Sequence, residues 1–378
     1  CMSTYKELSE IEEDSSRFPL NIELYIKSWA DQQYMELQAE CYQIASEGKY
    51  IGKKFIQGME EAHKHYNKKA AEILEIANTK DKELESILVS PEGYQRYKEM
   101  EQEDVTSGVI AVTGIGEIDE EIGGFEKGSL LVIQGPTGSG KSRLATNIAH
   151  EAILKGHNGV VFALEGSPRR AVSMFIARHL AVKFNCDHID DDSIFKKTYS
   201  SEYSELVESA EYDLFYNENY GKFKIVPSPV YDEDIEGILE DIWDNVFNFD
   251  WVVLDYSSLV RSRTKDTVTA MLTDLMPKLE TMCQSFKGEG FLLIVPHQLK
   301  VETINALMKG EDRTLTGSAD SSSVMKSAHN ALTIYTDDEL KLKDMCKIIC
   351  TKTRHTQGLP AKEYYAKLGV CVFGDLPL

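Results

Sequence analysis

The chain has 378 residues, 42% of them hydrophobic and 27% charged, the profile of a folded globular protein rather than a disordered or fibrous one. Its 62 acidic residues against 41 basic ones leave a net charge of −21, which excludes a general basic face and confines any nucleic-acid contact to local loops or backbone amides. The seven scattered cysteines form no C-x-x-C pair, and no apolar run reaches the roughly 18 residues of a membrane span; with no charged-then-apolar leader at the start, a cytoplasmic location without a structural zinc is expected.

At roughly 100 to 200 residues per domain, this length predicts two or three domains, most simply one large domain with a smaller attachment. From about Phe18 to Met100 the chain is dense in Glu, Lys, Gln and Ala, with apolar residues at helical spacing, as in "YIKSWADQQYMELQAECYQIA". Gly48, Gly52 and the stretch "VSPEGY" interrupt these helices, and "EQEDVTSG" reads as a linker. Residues 1–105 are therefore expected to form an all-α N-terminal region, and residues 106–378 the large domain.

Beyond Val109 short apolar runs alternate with helical stretches: "SLLVIQ", "GVVFAL", "FKIVP", "WVVLD", "FLLIVP", "ALTIY" and "CKIICT". Such alternation predicts an α/β domain, a mostly parallel sheet flanked by helices on both faces. The ending "EYYAKLGVCVFG" reads as a hairpin on the edge of that sheet.

"GPTGSGKS", Gly135 to Ser142, lies directly after one strand and directly before the helical "SRLATNIAHEAIL", the context a phosphate loop requires. Gly135, Pro136, Thr137, Gly138, Ser139 and Gly140 would wrap backbone N–H groups around phosphates, with Arg143 completing the nucleotide-binding set. Lys141 would reach the β- and γ-phosphates of ATP, and the Ser142 hydroxyl would ligate Mg²⁺. Asp255, ending the apolar strand of "WVVLD", is the expected second holder of the Mg²⁺ shell. Hydrolysis also needs a group that orients or deprotonates water; Glu165, at the end of another strand, is the candidate, because a buried glutamate is costly without work or a partner. Gln298, in "IVPHQLK", is a neutral donor at the same edge, suited to sensing the γ-phosphate.

The succession "VTGIGEIDEEIGGFEKGSLLVIQGPTGSGKS", "VFALEGS", "WVVLDYSSL", "IVPHQLK", "AHNALTIYTDD" and "IICTKTRHTQG" resembles the DnaB-like replicative helicases, hexameric RecA-like ATPases, in a compact version of the phage type. The resemblance covers residues 111–374. It implies Glu165 as general base, Gln298 as sensor, and Lys352 and Arg354 as a K-x-R pair that crosses the subunit interface to the neighbour's γ-phosphate. It implies a homo-oligomeric ring, ssDNA as ligand, a primase or helicase loader as further partners, and a docking helix within the N-terminal region. The DNA-facing loops would carry Arg261, Arg263 and Lys265 after the Asp255 strand, and Lys309, Arg313, Gly317 and Ser318 after the Gln298 strand. The chain departs from the family pattern at His355-Thr356, where Asn-Gly is usual, and at Ala319-Asp320, where Arg-Glu is usual. Two alternatives stay open: a RecA-like recombinase forming filaments, and a non-motor RecA-like regulatory ATPase.

Overall fold

The computed structural model describes residues 18–51, 54–78, 108–299, 319–354 and 358–376. The chain divides into two compact units, Cys1–Glu103 and Asp104–Leu378.

In the first unit two long helices, α1 (Phe18–Ser46) and α2 (Met59–Asn78), are the elements that the apolar spacing predicts. They pack through Leu37, Tyr34, Cys41, Tyr66 and Ala70, and through Ile44 with Ala62. The all-α expectation omits a short antiparallel ribbon between them, β1 (Lys49–Ile51) with β2 (Lys54–Ile56). Gly48 starts it at φ +83°, and Tyr50 and Phe55 face each other across it with ring centroids 5.1 Å apart. The signal was present in the alternating "KYI" and "KFI", but it is too short to outweigh the helical segments on either side.

The second unit begins with a small ribbon, β3 (Val109–Ala111) and β4 (Phe125–Glu126), around helix α3 (Gly116–Ile122). Its centre is a nine-stranded sheet in the order β13-β12-β11-β10-β5-β9-β8-β6-β7. Six of these strands are parallel: β5 (Leu130–Gly135), β6 (Gly159–Ala163), β7 (Phe223–Pro227), β8 (Trp251–Asp255), β9 (Leu292–Gln298) and β10 (Asn330–Tyr335). The apolar runs match these spans to within a residue or two. Every residue of β5 and β6 is buried, as parallel strands covered on both faces require.

Alternate side chains of β5 feed the two halves of the core. Leu131 and Ile133 pack under helices α4 (Lys141–Leu154), α5 (Pro168–Lys183) and α7 (Ser204–Tyr216). Leu130 and Val132 face α8 (Ile235–Asn245), α9 (Val268–Ser285) and α10 (Ala319–Ser327). Two short helices, α6 (Asp191–Lys196) and α11 (Asp338–Leu342), complete the helical set among the described residues.

Beyond β10 the sheet reverses direction. β11 (Met345–Lys352) pairs antiparallel with β10, bringing Lys352 opposite Ala331, at the amino end of β10. β12 (Lys362–Lys367) and β13 (Val372–Gly374) add the expected edge hairpin, Tyr365 opposite Gly374. Among the described residues no helix is long and apolar enough to cross a membrane.

Candidate nucleotide-binding site

The carboxyl ends of β5, β6, β8 and β9 open on one edge of the sheet, so Gly135, Asp255 and Gln298 emerge together, with Glu165 just beyond β6. That edge is where ligands of open parallel sheets bind. The loop from Gly135 to Gly140 turns tightly into α4. At Gly135 an added Cβ would stand 2.3 Å from the Ile334 carbonyl oxygen and 2.6 Å from Ser139 Oγ, and Gly140 caps the helix at φ +100°. The first intrahelical bond of α4 runs from Leu144 N–H to the Gly140 carbonyl (2.8 Å), so the N–H groups of Lys141, Ser142 and Arg143 have no helical acceptor. These three donors and the helix dipole make an anion cradle of the kind phosphates occupy.

Within this cradle Lys141 Nζ donates to the Pro136 carbonyl at 2.7 Å, folded over the loop, and the side chain is almost wholly buried. Burial pulls its pKa below the usual lysine range, while the charges of Asp255 and Glu165 oppose that. The Ser142 hydroxyl donates to Asp255 Oδ1 at 3.0 Å. Burial lifts the Asp255 carboxyl to about 6; the Ser142 hydrogen bond and the Lys141 charge act against the rise, and the neighbouring Glu165 charge adds to it. Gln298 Nε2 donates to Thr137 Oγ1 at 2.8 Å, which places the β9 amide on the phosphate loop itself.

A hydroxyl and a carboxylate 3.0 Å apart, beside a buried lysine and three orphan N–H groups, fit a magnesium nucleotide. Ser142 would be the direct ligand, with Asp255 behind it. A cavity of about 30 Å³, room for a water molecule, joins this pair to Glu165, Arg170 and Thr146.

Glu165 corrects one step of the sequence argument. Its side chain is exposed, two residues beyond the last residue of β6, so no burial cost demands a role for it. Its claim rests on its place at the cavity. Arg143 also behaves differently from its neighbours in the loop. Its guanidinium turns away from the cradle to Asp191 Oδ1 (2.6 Å) and the Leu368 carbonyl, leaving only its backbone N–H for phosphate.

Lys352 and Arg354 lie at the opposite edge of the sheet. Counted along β5 and β10, Arg354 is about five residues, about 17 Å, below the level of Gly135. Lys352 Nζ donates to the carbonyls of Met325 (3.0 Å) and Lys326 (3.3 Å) in the last turn of α10. The charge of Arg354 is felt by Cys283 of α9 and by His329, whose pKa burial lowers first.

Of the first basic loop, Arg263 is exposed and paired within its own chain: its guanidinium grips Asp234 in two bonds of 2.8 and 2.6 Å and lies 3.9 Å over the Tyr231 ring. Lys265 faces Asp274 at 4.0 Å, and the exposed Arg261 has its backbone tied to Val230 and Asp232. Lys309, Arg313, Gly317 and Ser318 lie outside the described residues, as does His355-Thr356. Sequence reading passed over Arg170 and Asp191; the only signals were "SPRR" opening α5 and the acidic "DDD" at α6.

A mostly parallel sheet with a phosphate loop after its central strand and a carboxylate at the tip of a nearby strand defines a RecA-like P-loop ATPase domain. Within that class, the family model of the DnaB-like helicase C-terminal domain matches residues 110–362, and the chain belongs to the DnaB-like helicases. A solved DnaB-like replicative helicase, described with its interactions with primase, superposes with a TM-score of 0.68 at 14% identity, over 99% of this chain and 83% of that one. A second solved structure, described as an ATPase domain, superposes with a TM-score of 0.60 at 16% identity, over 75% of this chain and 97% of that one. Identities this low speak to the fold alone. Among curated proteins none matches.

Proposed function

We propose that this chain is an ATP-driven DNA helicase that works as a ring, hexameric as in other DnaB-like helicases, and completes each ATP site with residues of two subunits. The observation that carries this reading is the division of charged groups between two edges of one sheet. Lys141, Ser142, Asp255, Glu165 and Gln298 gather at the carboxyl edge, whereas Arg354 leaves the amino edge about 17 Å away. An arginine side chain spans less than half that distance, so Arg354 serves a γ-phosphate only if the phosphate belongs to another copy. A head-to-tail interface repeated around a closed ring supplies such a copy.

In this reading the cradle N–H groups and Lys141 hold the phosphates, and Ser142 with Asp255 would hold Mg²⁺, whose charge would offset that of the phosphate oxygens. Glu165 accepts the proton of the attacking water at the cavity it shares with Ser142 and Asp255. Gln298, bonded to Thr137, carries the state of the phosphate loop into β9, from whose end the second DNA-facing loop departs. Arg354 stabilises the charge that develops on the neighbour's γ-phosphate. With Arg263 paired to Asp234, contact with ssDNA falls mainly to Arg261 and Lys265, to Lys309 and Arg313 of the second loop, and to backbone amides of the loops, in keeping with the net charge of −21. The solved relative's interaction with primase makes a primase the first partner to test against the N-terminal helices.

The test is ATP-dependent unwinding of a forked duplex, together with ssDNA-stimulated ATP turnover and negative-stain imaging of the assembled species. Unwinding by closed rings is the expected result, and strand exchange by helical filaments would overturn it. The internal pairing of Arg263 favours one second reading, a regulatory ATPase of the same fold; turnover indifferent to ssDNA would select it.

A further inference from the structure

Asp191 sits at the first position of α6 with its side chain 2% exposed, far from the phosphate cradle in sequence. One oxygen, Oδ1, accepts a hydrogen bond from Arg143 Nη1 at 2.6 Å; the other, Oδ2, is buried without a hydrogen bond among the described residues and pairs with Arg170 Nη2 at 3.1 Å by charge alone. Arg143 follows Ser142 in the first turn of α4. Arg170 lies five residues after Glu165, in the first turn of α5, and lines the same cavity as Ser142, Glu165 and Asp255. A single shielded carboxylate thus ties the helix that starts at the Mg²⁺-binding serine to the helix that starts just after the proposed base.

We propose that Asp191 is a positioning residue for ATP hydrolysis, setting the separation between Ser142 and Glu165 by bridging Arg143 and Arg170. The inference rests on the ATPase reading above and deepens it. Between Glu165 and α5 lies Gly166 at φ +86°, and both Glu165 and Ser167 are exposed, so the segment bearing the base has little packing of its own. What restrains it is the start of α5. There Ser167 caps the helix through the Arg170 N–H at 3.3 Å, and the Arg170 side chain is in turn held by α6, hydrogen-bonded to Asp192 and paired by charge with Asp191. The other acid within reach of Arg170, Asp192 at 2.8 Å, is more exposed and shared with Lys196 at 2.6 Å, and it makes no bond to Arg143. It therefore holds Arg170 without fixing it to α4. Arg143 keeps the Leu368 carbonyl as a second anchor, so loss of Asp191 frees the Glu165 side more than the phosphate side.

The inference predicts a split between turnover and affinity. In the full-length protein, Asp191→Asn keeps the shape and removes the charge, and Arg170→Gln cuts the link to α5 together with the Asp192 pair while leaving the Arg143–Asp191 bond. Both should lower kcat by about 10- to 100-fold, the scale of an ångström-sized misplacement of a reacting group. Affinity for ATP and ADP should stay within about threefold, because the cradle is untouched. Asp191→Glu, which restores the charge, should recover part of the lost turnover. Wild-type kcat in folded Asp191→Asn and Arg170→Gln proteins would overturn the proposal, as would affinity falling in step with kcat. A readout independent of turnover is amide exchange across residues 165–170 in the presence of a non-hydrolysable ATP analogue. Exchange should quicken by about threefold or more in both variants; unchanged exchange refutes the bridge. If the wild-type protein binds ATP without hydrolysing it, the ATPase reading fails, and the exchange result still decides whether Asp191 restrains the Glu165 segment.

Discussion

Replacing Arg354 by Ala should leave ATP binding nearly intact and cut turnover by roughly 10³ or more, the scale of arginine fingers supplied in trans. The structure supplies the reason for the separation of effects. Arg354 is about 17 Å below its own phosphate cradle along the sheet, so its removal leaves Lys141, the cradle amides and the Ser142–Asp255 pair untouched. Glu165→Ala removes the other half of the chemistry, at the carboxyl edge. In a one-to-one mixture of the two inactive proteins, a head-to-tail interface pairs the Glu165 side of one subunit with the Arg354 side of the next. Random assembly then leaves about one interface in four with both groups intact. Steady-state ATPase of the mixture, assembled before ATP is added, should rise well above either variant alone, toward about a quarter of wild type if interfaces fire independently. The assay needs native mass spectrometry to establish that mixed assemblies form. Mixed rings without recovered activity, or wild-type turnover in Arg354→Ala alone, would refute the trans assignment.

Lys141→Ala should abolish nucleotide binding, measured with a fluorescent ADP, because no other buried cation stands in the cradle among the described residues. Asp255→Asn should abolish Mg²⁺-dependent turnover yet raise the thermal midpoint of the ligand-free protein at pH 7.5. The Asp255 carboxyl titrates at about 6 when folded and about 3.9 when unfolded, so between these values the folded state binds more protons and stability falls as pH rises. Above about pH 6 the ionised carboxylate costs up to about 3 kcal/mol, which the amide avoids. The same titration should give kcat/KM of the wild type an acid limb near pH 6, since a protonated Asp255 cannot hold the metal shell. Gly135→Ala should destabilise the loop and lose ATP binding together, read by melting and by nucleotide titration, because the added methyl meets the Ile334 carbonyl at 2.3 Å.

Much of this molecule is decided locally and is therefore legible in the sequence. The parallel strands are short apolar runs buried on both faces, so "SLLVIQ" or "WVVLD" carries its own assignment. The phosphate loop is a local object too: eight consecutive residues contain the turn, the lysine and the helix start. Gathering Asp255, Glu165 and Gln298 at one edge needed only the knowledge that the strands run parallel. Other features depend on residues far apart in the chain meeting in space. Whether Glu165 is buried depends on where β6 stops, and Arg143 turns from phosphate to Asp191 because α6, 48 residues later, packs beside it. Arg263 looks in sequence like a free cation, and in the fold it pairs with Asp234 and lies over Tyr231. Above all, the run "IICTKTRH" states a strand with a basic pair at its end, but its direction comes from pairing with β10. Antiparallel pairing sends Lys352 and Arg354 to the far edge of the sheet, and a strand's hydrophobic pattern is the same whichever way it runs.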